Sequence, residues 1–290
     1  LTGAWRARHN GAIYTLSPAW ISAIERFLLA QRARGYPDTT ITARRQHLSN
    51  LAVNIGVVDP FAITPAQLVE WAGAREWKPE TRRSRRTTFL AFYRWAIAQD
   101  PPLASTNPAA ALDRVNPTIP VPRPCPEDVY ARAKQRAAMR GDRRLGMMLR
   151  LAGEMGLRRT EVALVHSRDI YQDLLGWSLL VHGKGDKQRV VPLPKGLALD
   201  LRALPEGYAF EGAIDGHLSP RRVGELVDDA LEGDWTMHSL RHRAAGYWRF
   251  RGADLSEIQR LLGHASANTT MTYTPVFDDR LRAIIDDAAA

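Results

Sequence analysis

Residues 261–274 read LLGHASANTTMTYT and residues 238–242 read HSLRH, and these two stretches decide how the chain is read. Tyr273 follows His264 by nine residues, and His238 and Arg241 stand three apart. On a helix that second spacing puts both side chains on one face. Upstream, GLRRTE at 156–161 adds Arg158, and GKGDKQRVVPL at 183–193 adds Lys184. Taken singly these residues are ordinary, since an arginine after Gly-Leu or a lysine in a glycine turn is usually exposed and a helical histidine usually packs. Their joint order is what carries information. Two arginines, a lysine and two histidines suffice to hold one phosphate without a metal, while a tyrosine hydroxyl attacks it.

Composition agrees with a polyanionic partner. The 290 residues hold 40 Lys/Arg against 31 Asp/Glu, a net charge of +9. The surplus is uneven: residues 1–116 carry 15 basic against 8 acidic side chains, and residues 117–290 carry 25 against 23. A basic first half suits DNA, because neutralising phosphates releases counterions. Arginine outnumbers lysine 35 to 5 in an alanine-rich chain, a bias that a GC-rich coding genome also produces. No apolar run reaches the roughly 20 residues a membrane span needs, and the opening LTGAWRARHNGAIYTL lacks the apolar stretch of a secretory signal. A cytoplasmic location follows as the expectation. The single cysteine, Cys125, forms no internal disulfide and has no neighbouring zinc ligands in sequence.

The length suits two domains. In the first, Ser17-Pro18 is a cap with a first-turn proline, followed by Ile21, Ile24, Phe27 and Leu28 on one helical face. A second helix is expected from about Thr40, with Ile41, Leu48, Leu51 and Ile55 inward and Gly56 as its stop. Thr64-Pro65 opens a third with Leu68, Trp71 and Ala72, and a fourth spans about Pro79 to Gln99. That fourth helix begins with Arg82, Arg83, Arg85 and Arg86, cations that oppose the helix dipole. Phosphate contact is the functional explanation for the cluster and a solvated face the plain one.

The stretch VNPTIPVPRPCP, 115–126, has five prolines, which cannot continue a helix and favour an extended connector. The expected organisation is a helical domain over 1–116 with a short lead at 1–16, a proline-rich linker over 117–126 and a second domain over 127–290. The second is expected to be mainly helical, with helices at about 127–139, 144–155, 159–165, 195–204, 219–231, 238–250, 254–262, near Tyr273 and at 278–288. Its one β element is a hairpin in which LLGWSLLVHG and RVVPL flank a Gly/Asp turn. The fold class is therefore mainly α with a small β-hairpin or sheet in the second domain.

On the motifs quoted, the chain resembles the tyrosine recombinases of the phage integrase family. GLRRTE resembles the first arginine box, which selects Arg158 over Arg159 and makes Glu161 its acidic member. GKGDKQRVVPL resembles the hairpin segment whose catalytic lysine lies eight residues before the proline, which selects Lys184 with Lys187 as the fallback. HSLRH supplies His238 and Arg241, with His242 assigned to packing, and LLGHASANTTMTYT supplies His264 and the nucleophile Tyr273.

The resemblance implies a division of labour that the residue types can perform. Arg158 and Arg241 offer permanently charged donor forks for the non-bridging oxygens, where negative charge grows during attack. His238, with an ordinary pKa of about 6.5, serves as base for Tyr273. Lys184 protonates the departing 5′ oxygen, His264 hydrogen-bonds the phosphate, and Glu161 orients its neighbours. No cofactor and no metal are required. The product is a 3′-phosphotyrosyl link that a second 5′ hydroxyl can reverse without ATP, and in the family four protomers exchange strands on two DNA sites through a Holliday junction. The apolar stripe Val276, Phe277, Leu281, Ile284 and Ile285 then suits a terminal helix that docks on a neighbouring protomer or folds back on its own domain.

With about 16 residues ahead of the first helix, the chain resembles the minimal form of the family, lacking an arm-binding domain. The function implied is integration or excision of a phage or mobile element at attachment sites on double-stranded DNA, in the nucleoid of a bacterial host, with a directionality factor as a possible further partner. The alternatives are a chromosome-dimer-resolving recombinase of the Xer type, a type IB topoisomerase and a catalytically silent DNA-binding regulator.

Overall fold

The computed structural model describes residues 6–9, 12–116, 122–183 and 187–263, with 6–9 and 12–15 described by backbone alone. The chain divides into two compact units, Leu1–Ile119 and Pro120–Ala290.

The first unit opens with an antiparallel pair, β1 (Arg6–His9) and β2 (Ala12–Thr15). The sequence reading treats this segment as a lead, although Asn10-Gly11 between the strands is a strong local hairpin signal. Four helices follow: α1 (Pro18–Ala33), α2 (Asp38–Asn54), α3 (Pro65–Gly73) and α4 (Pro79–Ile97). Ser17 accepts from the Trp20 N–H, and Thr64 and Gln67 form a reciprocal capping box, arrangements worth about 1 kcal/mol each. The core centres on Phe92, which stacks on Trp20 and Phe61 and meets Phe27 edge-on at 5.4 Å. Trp20, Ile24, Phe27, Leu48, Leu51, Leu68, Phe89 and Tyr93 complete it, all essentially buried. Truncating a ring such as Phe92 to alanine costs about 3–5 kcal/mol.

The second unit places α5 (Glu127–Met139), α6 (Arg143–Gly153) and α7 (Arg159–Ala163) ahead of a three-stranded antiparallel sheet, β3 (Ile170–Asp173), β4 (Gly176–His182) and β5 (Gln188–Pro192). Then come α8 (Lys195–Arg202), α9 (Pro220–Ala230), α10 (Met237–Phe250) and α11 (Leu255–Leu262). The expected hairpin is β4 and β5, paired Leu179 to Val191 and Val181 to Arg189. Strand β3 extends it beyond the sequence reading, because four residues with only Ile170 buried give too short an alternation to register. Leu179, Val181 and Val191 point into a core shared with Leu149, Leu151, Leu157, Leu197, Val223 and Leu240.

Cys125, within the proline-rich stretch, is packed into this second unit: its N–H donates to the Ser239 carbonyl at 3.0 Å, and burial lifts its thiol pKa to about 11. Residues 117–121 and the expected helices near Tyr273 and at 278–288 lie outside the described residues. Among the described residues, no helix is long and apolar enough to cross a membrane.

Candidate active site

Three elements of the second unit, α7, β5 and α10, converge on the buried carboxylate of Glu161, in the middle of α7. Arg158, which precedes that helix, donates its backbone N–H to Oε2 and its Nη1 to Oε1, both at 2.8 Å. Arg189 of β5 grips the same carboxylate with Nη1 and Nη2 at 2.8 and 2.9 Å. Arg241 of α10 brings Nη1 within 3.9 Å of Oε2. Burial alone would raise the pKa of Glu161, but the hydrogen bond and charge of Arg189, followed by the N–H and charge of Arg158, hold it below the usual carboxylate range. One anion thus holds three cations together in a small volume.

A second anchor is the carboxyl end of α11. The Leu262 carbonyl accepts from Arg158 Nη1 at 3.2 Å and from Arg241 Nη2 at 2.7 Å, while the Leu261 carbonyl accepts from Arg189 Nε at 2.8 Å. These carbonyls lie in the last turn of α11, at the negative end of the helix dipole, so cations are favoured there. Arg241 also donates to the Gly156 carbonyl. Gly156, at φ 62°, sits in the turn between α6 and Arg158; a side chain there would be strained and would press on Trp248 and Leu262.

The two arginines differ in accessibility. Arg241 is 2% exposed, whereas the side chain of Arg158 is 39% exposed and its Nε and Nη2 have no hydrogen-bond partner among the described residues. His238, on the first turn of α10, is exposed. Desolvation, then the charges of Arg241 and Arg158, lower its pKa from 6.5. Its ring meets that of His242 edge-on at 4.4 Å. Burial, then His238 and Arg241, push His242 down to about 4 and keep it neutral near pH 7.

Arg158, Glu161, His238 and Arg241 are therefore brought together, whereas Lys184, His264 and Tyr273 lie outside the described residues. What flanks them is described. Gly183 N–H donates to the Lys187 carbonyl at 2.7 Å across the base of the hairpin, and Lys187 itself is exposed. His182 Nε2 lies 3.0 Å from the buried Asp169 carboxylate. Arg189 is the residue the sequence reading missed. Its signal was strand alternation, because Arg189 shares the inward face of β5 with Val191, and an inward arginine needs a buried acid.

In the first unit the arginine cluster is split around α4. Arg82 donates to the carbonyls of Trp77 and Arg75, Arg86 to that of Leu112 at 2.7 Å, and Arg85 to Asn50 Oδ1 at 2.7 Å while stacking over Trp77. Arg83 points outward, in an exposed pair with Glu80 at 3.4 Å.

Residues 214–280 match the phage integrase family. The chain is 30% identical to the tyrosine recombinase XerC of Corynebacterium efficiens over 85% of its length and 84% of that protein. It is 29% identical to the tyrosine recombinase XerD of Caulobacter vibrioides over 92% of its length and 95% of the relative. Among solved structures, a lambda integrase tetramer bound to a Holliday junction shares the fold, with a TM-score of 0.71 at 19% identity over 89% of this chain and 77% of that one.

Proposed function

This chain belongs to the tyrosine recombinase (phage integrase) family and catalyses DNA strand transfer in site-specific recombination, and from that premise we propose a residue-by-residue mechanism. Arg158 and Arg241 bind the non-bridging oxygens of the scissile phosphate. Tyr273 attacks phosphorus, its proton passing to His238. The P–O5′ bond breaks as Lys184 protonates the leaving oxygen, and His264 hydrogen-bonds the phosphate. The DNA then holds a free 5′ hydroxyl and a 3′-phosphotyrosyl link, and attack by another 5′ hydroxyl returns the tyrosine. Glu161 holds the arginines and transfers no proton. The observation that carries this reading is the convergence of Arg158 and Arg241 on one carboxylate and one carbonyl. That gives a rigid pair of cations oriented before substrate arrives.

The setting proposed is integration or excision of a mobile element at double-stranded attachment sites, by a tetramer formed on DNA. A second reading, an Xer-type recombinase, is favoured by likeness to XerC and XerD proteins along most of their length. Covalent trapping tests both. The protein is incubated with nicked candidate sites in chelator, denatured, and examined for a protein–DNA adduct that Tyr273→Phe abolishes while DNA binding persists. Adducts on both half-sites from this protein alone favour the integrase. Adducts on one half-site, dependent on a related second recombinase, favour the Xer reading. Failure to form any adduct on bound DNA defeats the mechanism.

A further inference from the structure

We infer that Arg189 is a positioning residue for strand cleavage, fixing both supports on which the Arg158–Arg241 pair rests; the inference stands on the site reading above. Each of the three nitrogens of its guanidinium donates within the protein. Nη1 and Nη2 grip Glu161 as a fork, and Nε caps the end of α11 through the Leu261 carbonyl. Its side chain is 13% exposed, so these bonds are largely shielded from water. Those two attachments are the ones that hold the arginines: Glu161 receives Arg158, and the adjacent Leu262 carbonyl receives Arg158 and Arg241.

The same side chain packs against Gly263. Gly263 ends α11 at φ 63°, and a Cβ there would lie 2.9 Å from Arg189 Nη1 and 3.0 Å from its Cδ. The chain therefore leaves α11 directly against Arg189, one residue before His264. A lysine keeps the charge but, having a single ammonium, cannot reproduce the planar fork together with the separate Nε bond. Loss of that geometry should move the arginines relative to the phosphate, and a displacement of about 1 Å costs on the order of 100-fold in rate.

The experiment is single-turnover cleavage of a nicked site by the full chain at saturating protein, with Arg189→Lys, Glu161→Gln and the double variant. Each is run on the ordinary diester and on one with a 5′-bridging sulphur, a leaving group that needs no acid. The expected result for Arg189→Lys is cleavage slowed about 100-fold on both substrates, with DNA affinity changed less than about twofold. The double variant should be little slower than the worse single one, because the two residues act as a unit. Lys184→Ala, by contrast, should be rescued by sulphur. Wild-type cleavage by Arg189→Lys, rescue of that variant by sulphur, additive effects of the two substitutions, or parallel losses of DNA binding and cleavage would each overturn the assignment. Failure of the unaltered protein to form an adduct appears before any variant is compared, and defeats the site reading together with the inference built on it.

Discussion

Arg158 and Arg241 donate to the same oxygen, the Leu262 carbonyl, at 3.2 and 2.7 Å. Two like charges meet at one point because that point ends a helix and because the Glu161 carboxylate lies beside them. The protein's own oxygens thus fix the two guanidiniums relative to one another, and such preorganisation is where electrostatic catalysis gains most. Arg158 has donors left over for that phosphate. Arg158→Lys keeps the charge and loses the fork, and its cleavage rate should fall by about 100- to 1,000-fold while the bound fraction in a gel-shift titration hardly moves. Undiminished single-turnover cleavage would remove Arg158 from the phosphate clamp.

Glu161 supports stability as well as geometry. Replacing it with alanine leaves Arg189 and Arg241 near one another without their anion, and removing one member of such a buried set costs about 3–5 kcal/mol. Glu161→Gln keeps the shape and should cost less. Its folded pKa lies below the usual carboxylate range despite burial, because Arg189 and Arg158 outweigh desolvation. The stabilisation is therefore complete above the unfolded pKa of about 4.3 and is lost as pH falls through the folded value. Denaturant melts from pH 7 to 3 should show the alanine variant weakened at neutral pH and the glutamine variant less acid-sensitive than the parent. Parallel curves for all three would argue against this role.

The histidines titrate with the opposite consequence for catalysis. His238 is lowered from 6.5 by desolvation, Arg241 and Arg158, so its neutral form, the one able to accept the Tyr273 proton, persists into mildly acidic solution. The acid limb of the cleavage profile should lie below pH 6.5, and His238→Asn should remove it. Stability follows the same shifts. His242 in the second unit and His47 in the first are each pushed down to about 4, the latter by burial and then Arg85. The unfolded chain thus binds more protons between about pH 6.5 and 4, and stability falls across that window as pH drops. Melting temperature against pH should fall there, and less steeply in His242→Gln.

Much of this fold is legible from local chemistry. Ser17-Pro18 and Thr64-Pro65 mark helix starts because caps and first-turn prolines act within three residues, and the apolar faces of α1 to α4 repeat at helical spacing. The strand pair β4–β5 is visible because apolar residues flank a glycine-rich turn. Direction is harder to read. Arg82, Arg85 and Arg86 look like a basic face in sequence, yet each turns back to a protein oxygen supplied by a distant or preceding segment. Arg189 was hidden for the same reason, because its partner Glu161 lies 28 positions away and only the tertiary fold unites them. The sequence motifs nominated Glu161 as an orienting residue, but not the third arginine that it holds.

The arginine cluster of α4 gives a prediction that separates fold from binding. An arginine that neutralises a phosphate contributes about 0.9 to the slope of log affinity against log salt. Arg83 faces solvent and, among the described residues, its side chain pairs with Glu80 alone, an exposed contact worth about 0–1 kcal/mol. Arg83→Ala should therefore flatten the salt slope by about one and leave the melting temperature almost unchanged. Arg86→Ala removes the bond to the Leu112 carbonyl, and Arg85→Ala removes the bond to Asn50 and the stacking on Trp77. Each should lower stability by about 1–2 kcal/mol with a smaller change in slope. Salt titrations and melts on the same preparations decide between the roles. If Arg85→Ala and Arg86→Ala each flatten the slope by a full unit while the melts stay put, these side chains leave their protein partners on DNA, and the whole cluster is a phosphate-binding face.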